Sequence, residues 1–343
     1  MGKLYVGNSG STPAIVNVKE VNKNKFGANI DTFFGNVDEN GMLEAPTMNF
    51  VLDLSGVTTV ASGLFKYKFY LNKNLSGVIA NDIINAWADS FYYAFYGDDN
   101  CTYFYFDSIE EVRANYAFYH CFDMTNISGG PARVIRFKKL KKVSGSSAFS
   151  YAFGNTKRNL FPAIDEIFPV LEEITGTSTF SSFIYYSYAY KHTFSSVKKI
   201  QGPSSQYSAT FGSTTTKNLI WNFPRAVDFS GYIWNITSSY PGEIHFAVAN
   251  QAAIEACTGY ENKWGYVGAT IYFDLILSIT VDGVVYERDG PNSIHVNGKT
   301  PYVGWTSESG NTVYTDATTE PAVGTVVYSN AGTTQVGTVE AVA

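Results

Sequence analysis

The sequence has few charged residues and no long apolar run, and both shortages exclude classes of protein. Charged residues make up 16% of the chain and the net charge is -6, whereas an average soluble protein has about 25% charged residues. The longest basic stretch, 136–142, belongs to a pattern that recurs elsewhere, so it predicts no phosphate-binding surface. No run reaches the roughly 18 apolar residues of a membrane-spanning helix. We therefore expect neither nucleic-acid binding nor membrane insertion.

Cysteine and histidine are also scarce. The three cysteines, Cys101, Cys121 and Cys257, are odd in number and far apart, so they predict neither a disulfide framework nor a metal site. His120 precedes Cys121, but sequence neighbours rarely face each other as base and nucleophile. The segment 97–100 is typical of a turn rather than of a calcium loop. We predict no catalytic, cofactor-binding or metal-binding residue and no cofactor, and we do not expect an enzyme.

What the sequence does contain is an internal repeat. The segments 137–149, 168–180 and 194–207 each begin with Phe, continue through a short apolar strand and a Gly, and end on an aromatic residue. Such a copy cannot bury its apolar side alone, so successive copies must stack into one core. Further copies begin near Met48, Leu75, Phe106 and Phe223. The pattern predicts a solenoid of parallel stacked strands over 48–240.

A pair of charged residues changes sign from one copy to the next. The pairs are Glu110 and Glu111, Lys141 and Lys142, Glu172 and Glu173, and Lys198 and Lys199. If the copies are adjacent parallel strands, each acidic residue faces a basic one, and each such pair contributes about 0.2 to 1 kcal/mol. The adjacent carboxylates therefore indicate stacking order rather than a facing acid and base pair of a glycoside hydrolase.

The repeat resembles the BspA-like leucine-rich repeat, in which a strand with a Leu-x-x-Ile type core is followed by an Ala-Phe turn. The residues that carry the resemblance are Ile109 and Val112 with Ala117 and Phe118, Leu140 and Val143 with Ala148 and Phe149, and Leu171 and Ile174 with Phe180. The copies here are longer and use Tyr and Phe in place of Leu. The resemblance implies a β-rich solenoid, leucine-rich-repeat-like, with short helices or turns between its strands.

The two ends of the chain differ in composition from the repeat. Residues 3–18 predict a β hairpin, and this opening is similar to attachment segments of tail-fibre and adhesion proteins of phages that infect gut bacteria. The segment 251–257 predicts a short helix with Asn250 as its N-cap and Gly259 at its end. Beyond it, short strands alternate with turn residues and predict an antiparallel β-sandwich-like module. The predicted division is an attachment segment at 1–47, the solenoid at 48–240, a cap at 241–276 and a small β module at 277–343.

Aromatic residues are abundant, with 25 Tyr and 25 Phe. The clusters at 91–96 and 183–190 hold more aromatic surface than one strand face can bury. They have two interpretations, which the sequence leaves open: stacked core ladders, or an exposed recognition surface, for which Tyr is well suited. The candidate recognition residues are Tyr92, Tyr93, Tyr185, Tyr186, Tyr188, Tyr190 and Trp305.

These resemblances imply a phage virion protein that contacts the bacterial surface, as a tail fibre or other receptor-binding component. The expected partners are other virion proteins and a bacterial surface glycan or protein, and the expected assembly is a homo-oligomer, with a trimer common among such fibres. The first residues lack the apolar core of a secretory signal, so we expect assembly in the host cytoplasm and exposure on the particle. The alternatives are a purely structural virion component such as a collar, head fibre or decoration, a bacterial cell-surface repeat protein, and a glycan-degrading depolymerase.

Overall fold

The computed structural model describes residues 14–17, 50–123, 133–153, 163–182, 191–211, 218–236, 241–288, 294–297, 300–316, 320–329 and 334–343. These residues form a β solenoid of about seven coils, each coil being one repeat, followed by an antiparallel sheet. The predicted fold class is confirmed. Among the helices of these residues, none is both long and apolar enough to cross a membrane.

The solenoid contains sixteen strands and two short helices in the described residues. The strands are β1 (Ala14–Asn17), β2 (Phe50–Asp53), β3 (Thr59–Val60), β4 (Leu75–Ile79), β5 (Asn85–Ala86), β6 (Tyr103–Tyr105), β7 (Glu111–Val112), β8 (Val134–Arg136), β9 (Lys142–Val143), β10 (Glu173–Ile174), β11 (Lys191–Thr193), β12 (Lys199–Gln201), β13 (Leu219–Phe223), β14 (Asp228–Ser230), β15 (Gly242–Ala247) and β16 (Thr270–Leu275). The α-helices are α1 (Ile164–Ile167) and α2 (Gln251–Glu255), and 3-10 helices lie at Gln206–Ser208, Val248–Asn250 and Tyr260–Gly265.

Two stacks of parallel strands enclose the core. On one side the order is β1-β2-β4-β6-β8 and then β11-β13-β15-β16, and on the other it is β3-β5 and β7-β9-β10-β12-β14. Helix α1 lies between β8 and β11, where its Ile167 carbonyl accepts a hydrogen bond from Phe137 N (2.8 Å). The repeat predicts no helix at this place. The helix fits because Ile164 and Ile167, three residues apart, both face the core.

A third side of each coil is a segment of stacked turns. The segments are 63–71, 89–97, 116–122, 147–153 and 178–182, and in each of them residues with positive φ recur at every fourth position. Within the first segment, alternate backbone N–H groups donate to carbonyl oxygens of the next coil at 2.7 to 3.1 Å, while the intervening N–H groups bond back within the turn. The cost of left-handed backbone at non-glycine residues, about 1 to 2 kcal/mol each, is offset because every N–H is satisfied.

Phenylalanine rings stack inside these turns from coil to coil. Neighbouring rings of the main ladder have centroids 5.0 to 6.0 Å apart, and its members are Phe65, Phe91, Phe118, Phe149, Phe180 and Phe211. All six are at most 3% exposed. A second ladder joins Phe69, Phe95, Phe122 and Phe153. The core interpretation is therefore correct for Phe91 and Phe95 of the cluster at 91–96, whereas the cluster at 183–190 lies outside the described residues.

The predicted alternation of charge is confirmed by the strand register. Glu111 pairs with Lys142, which pairs with Glu173, which pairs with Lys199. The ammonium of Lys142 lies 3.0 Å from the carboxylate of Glu173, and Lys198 lies 3.4 Å from Glu172.

The repeated glycine allows successive coils to approach closely. At Gly145 a Cβ would collide with the Ala114 carbonyl group of the preceding coil, so only glycine permits this close stacking.

The solenoid extends beyond the predicted limits of 48 and 240. Strand β1 pairs in parallel with β2, so residues Ala14–Asn17 belong to the solenoid sheet, while the rest of the predicted hairpin segment lies outside the described residues. At the other end β15 and β16 continue the parallel sheet to Leu275. Helix α2 forms as predicted, but Asn250 makes no side-chain cap and donates instead to the Pro224 carbonyl (3.2 Å).

The carboxyl-terminal module is an antiparallel sheet with a core of its own. Its strands are β17 (Ser278–Val281), β18 (Val284–Arg288), β19 (Ile294–Asn297), β20 (Thr300–Ser307), β21 (Thr312–Asp316), β22 (Val326–Tyr328), β23 (Gln335–Thr338) and β24 (Ala341–Val342). They form one sheet with β17 and β20 on either side of β18. The predicted hairpin at Asp282 and Gly283 joins β17 to β18, and both residues have positive φ, as a two-residue hairpin turn requires.

Candidate functional site

Aromatic rings also stack on the outside of the turn segments. Tyr67, Tyr93, His120 and Tyr151 occupy the same position in four successive coils, two residues after the phenylalanines of the main ladder. Tyr67 and Tyr93 have centroids 5.3 Å apart, Tyr93 and His120 are 4.3 Å apart, and His120 and Tyr151 are 4.5 Å apart with planes at 4°. This column runs parallel to the buried phenylalanine ladder and is partly open to solvent.

Other tyrosines widen this column into a continuous surface. The Tyr92 and Tyr119 rings stack at 4.9 Å, and so do those of Tyr70 and Tyr96. The ammonium of Lys66 lies 4.4 Å above the Tyr92 ring, a favourable cation–π distance. We define the tyrosine face as the set of these half-buried or exposed aromatic residues: Tyr67, Tyr70, Tyr92, Tyr93, Tyr96, Tyr116, Tyr119, His120 and Tyr151.

The electrostatics of the tyrosine face favour neutral phenols. Burial, followed by the neighbouring Tyr67, raises the pKa of Tyr92 to about 12. Burial also raises the pKa of Tyr93 and of Tyr119. His120 Nδ1 lies 3.0 Å from the carboxylate of Asp123, which is buried. The face can therefore offer apolar ring surface together with hydroxyl groups that both donate and accept hydrogen bonds.

The local sequence places the two kinds of ring on opposite sides of one turn. In the segment around Phe91, the side chains of Phe91, Ala94 and Phe95 are buried, while Tyr92 and Tyr93 are partly exposed. The turn does not require an aromatic residue at this position, because the equivalent residue in the coil after Tyr151 is Ser182, which is buried and has a similar positive φ. The tyrosines are thus an addition to the solenoid and not a requirement of it.

Two of the predicted recognition residues, Tyr92 and Tyr93, lie on the tyrosine face. Four others, Tyr185, Tyr186, Tyr188 and Tyr190, lie outside the described residues. The prediction for Trp305 is wrong, because its side chain is completely buried in the core of the carboxyl-terminal module and donates from Nε1 to Thr315 Oγ1 at 2.8 Å. A residue in that position packs the sheet and cannot contact a partner.

Most members of the tyrosine face were not among the residues predicted from the sequence. Tyr67, His120 and Tyr151 each stand among buried phenylalanines in short aromatic segments, 65–70, 116–122 and 149–153, so local composition does not distinguish outer rings from inner ones. Aligning the copies on Phe65, Phe91, Phe118 and Phe149 would have revealed them as one column at a fixed offset of two residues. The signal that identifies the column is therefore its offset within the repeat, since local composition is aromatic for inner and outer rings alike.

A polar cleft lies between the solenoid and the carboxyl-terminal module. Its volume is about 1100 Å³. Several of its charged lining groups lie close to a group of opposite charge: Lys198 is 3.4 Å from Glu172, Arg225 is 3.8 Å from Glu287, and Arg288 is 2.7 Å from Glu320. Only the pair of Arg225 and Glu287 joins the solenoid to the module, since the other two pairs each lie within one of them. Together the three ion pairs give the cleft a mixed and largely compensated charge rather than a single reactive group.

The cysteines, His120 and the segment 97–100, which the sequence raised as candidates for catalysis or metal binding, have structural roles. Cys121 is buried in the core, whereas His120 stacks on the outer tyrosine face, so the two side chains point to opposite sides as expected. All three cysteines are free thiols, and Cys101 is buried like Cys121. Residues 97–100 form a turn in which Asp98 Oδ1 accepts a hydrogen bond from Asn72 N. In the part of the chain that the structure describes, no group of three potential metal ligands is found.

Comparison with known proteins adds no family to this description. No protein-family model, no curated protein and no solved structure matches the chain. The tyrosine face and the solenoid that positions it therefore provide the basis for inferring function.

Proposed function

We propose that this protein is a recognition protein that attaches to a bacterial surface through the tyrosine face of its solenoid. The observation that carries the proposal is the outer column from Tyr67 to Tyr151, which spans four coils in stacked order. Buried packing accounts for the inner phenylalanines but not for this column, because the same turn accepts Ser182. A rigid aromatic surface with polar tips favours recognition at low entropic cost.

The regular spacing of the column favours a polymer as the ligand. Rings repeat from coil to coil at 4.3 to 5.3 Å, so a repeating glycan or an extended protein surface can make equivalent contacts along several coils. Each contact would be weak, and many copies on one particle would multiply it. The assignment to a phage virion, as a tail fibre or receptor-binding component, depends on the sequence resemblances alone.

Binding of purified surface polysaccharides tests the proposal. The full chain is applied to immobilised capsular and wall polysaccharides from a panel of gut bacteria, and retention is compared with that of Tyr93→Ser and Tyr119→Ser. We expect the wild type to be retained by at least one polysaccharide or by whole cells, and each variant to lose at least about tenfold in affinity. Tyr207→Ser is the control, since Tyr207 is 85% exposed and lies outside the tyrosine face.

Two results would contradict this function. One is that no bacterial surface retains the wild type, and the other is that the tyrosine variants bind as tightly as Tyr207→Ser. Sedimentation of the same variants tests the structural alternative. If Tyr93→Ser and Tyr119→Ser dissociate an oligomer, the face is a contact between subunits, as in a collar or decoration protein.

A further inference from the structure

Trp87 is a tryptophan that the solenoid leaves exposed. Its side chain is 55% exposed, whereas the other four, Trp221, Trp234, Trp264 and Trp305, are at most 1% exposed. Trp87 directly follows β5, and its backbone N–H donates to the Val60 carbonyl at 3.1 Å, so the backbone that carries it is fixed by coil-to-coil pairing. A large aromatic side chain is thus carried at the surface by a fixed backbone.

The fold does not require an aromatic residue at this position. Trp87 directly follows the buried residue of its short strand. In the other coils the residue at the equivalent position is Ala61, Arg113, Ser144, Thr175, Gln201 or Ser230. These are small or polar side chains. Trp87 therefore contributes little to the common core, and its presence calls for a role at the surface.

Around Trp87 the charged sheet face becomes neutral. The two outward positions of the short strands carry Glu or Lys in the four coils from Glu110 to Lys199, but they carry Thr58 and Thr59 in the first coil and Ile84 and Asn85 in the second. Ile84 is 50% exposed. The neutral area thus has an apolar part made by Trp87 and Ile84 and a polar part made by hydroxyl and amide groups.

A groove of about 560 Å³ forms where this neutral area meets the next coil. Its charged rim consists of Glu110 and the ion pair of Glu111 and Arg113, whose carboxylate and guanidinium are 2.7 Å apart. The pair presents strong acceptors and donors side by side, while its two charges compensate each other. The volume lies within the range of about 300 to 1,000 Å³ that is usual for small-molecule sites.

We propose that the Trp87 groove binds a pyranose unit of a neutral carbohydrate. A pyranose has a face of C–H groups that can stack on the indole ring and an edge of hydroxyl groups that can bond to Asn85, Glu111 and Arg113. A nucleic acid is disfavoured because Glu110 and Glu111 border the groove. A long apolar peptide is disfavoured because charged residues of the next coil lie directly beside Ile84 and Trp87.

This site goes beyond the function proposed above and does not depend on it. Its residues precede the stacked turns of the first three coils and include no member of the tyrosine face. A protein that lacked one of the two sites would still have the other. Variants of Trp87 and of Tyr93 therefore separate the two proposals experimentally.

Acrylamide quenching of tryptophan fluorescence tests the groove, because four of the five indoles are buried and collisional quenching reports mainly on Trp87. The probes are chitotriose, maltotriose, xylotriose and mannotriose, each added at increasing concentration to the full chain. We expect at least one of them to shield the exposed indole from acrylamide. By calorimetry, Trp87→Ala should weaken the binding of that sugar about tenfold or more, and Trp87→Phe should weaken its binding less.

Two controls make the test specific. Tyr207→Ala removes another exposed aromatic side chain and should leave sugar affinity unchanged, and Tyr93→Ser should leave acrylamide shielding unchanged. The proposal is overturned if none of the four sugars shields Trp87, or if Trp87→Ala binds the sugar as tightly as the wild type. Equal loss in Tyr207→Ala would also overturn it, since the effect would then not belong to the groove.

Discussion

The inner and outer sides of the stacked turns share the same stacking geometry but differ in their exposure to solvent. Phe118 stacks on Phe149 at 5.0 Å inside the core, and His120, two residues later, stacks on Tyr151 at 4.5 Å outside it. Both contacts follow from the same coil-to-coil hydrogen bonds. Only the inner ring is removed from water, so only the inner ladder gains the full hydrophobic free energy. Stacking alone therefore does not identify a structural residue, whereas burial does.

The largest effect is expected when neighbouring residues on the inner and outer sides of a turn are replaced. Phe118→Ala should lower the free energy of unfolding by about 3 to 5 kcal/mol, since it leaves a cavity between Phe91 and Phe149. Tyr119→Ala should cost only about 0.5 to 1.5 kcal/mol, because its ring is partly in water in the folded state. Urea denaturation of both variants measures the difference. Equal losses would mean that this part of the tyrosine face belongs to the core.

A second test concerns a carboxyl group that is buried on helix α1. Burial raises the pKa of Asp165 from 3.8 to about 7, although the hydrogen bond from Ser195 N opposes this shift. The unfolded chain therefore loses this proton first, and stability should fall between about pH 4 and pH 7 by up to about 1.4 kcal/mol per pH unit.

The variant Asp165→Asn should reduce that slope and raise the melting temperature at pH 8, since the amide oxygen can still accept from Ser195 N. Part of the slope should remain, because burial also raises the pKa of Asp98. Glu255→Gln, on the exposed side of α2, is the matched control and should leave the slope as it is. An unchanged pH dependence in Asp165→Asn would show that this carboxyl group is not held in a dry environment.

A third test, with a smaller expected effect, concerns the alternating charges of the short strands. Lys142→Glu places three carboxylates side by side on β7, β9 and β10. The variant should lower the free energy of unfolding by roughly 0.5 to 2 kcal/mol at low salt, and less at high salt, because the pairs are exposed. Lys139→Glu makes the same change of net charge at an exposed turn of the same coil. Equal effects of the two variants would indicate a net-charge effect rather than strand register.

The sequence predicted those features that recur with the repeat. The alternation from Glu111 to Lys199 predicted which strands are neighbours, and the spacing of Phe118 and Phe149 predicted stacking, because a period in sequence becomes a period in space when copies stack. Helix α1 was not predictable in this way, since it replaces a strand in one coil only. Trp305 was misassigned because burial in the small module depends on the pairing of β20 and β21, which the local sequence does not reveal.

By itself, the sequence determined that the chain is a solenoid, because an apolar strand, a glycine and an aromatic residue at fixed offsets can bury their apolar surface only against copies of themselves. The tertiary structure alone decided which aromatic residues face solvent. Tyr93 and Phe95 are two residues apart, and Trp87 and Trp305 have identical side chains, yet one member of each pair is accessible and the other is buried. The physical reason is that left-handed turns and strand pairing, not residue type, set the direction of each side chain.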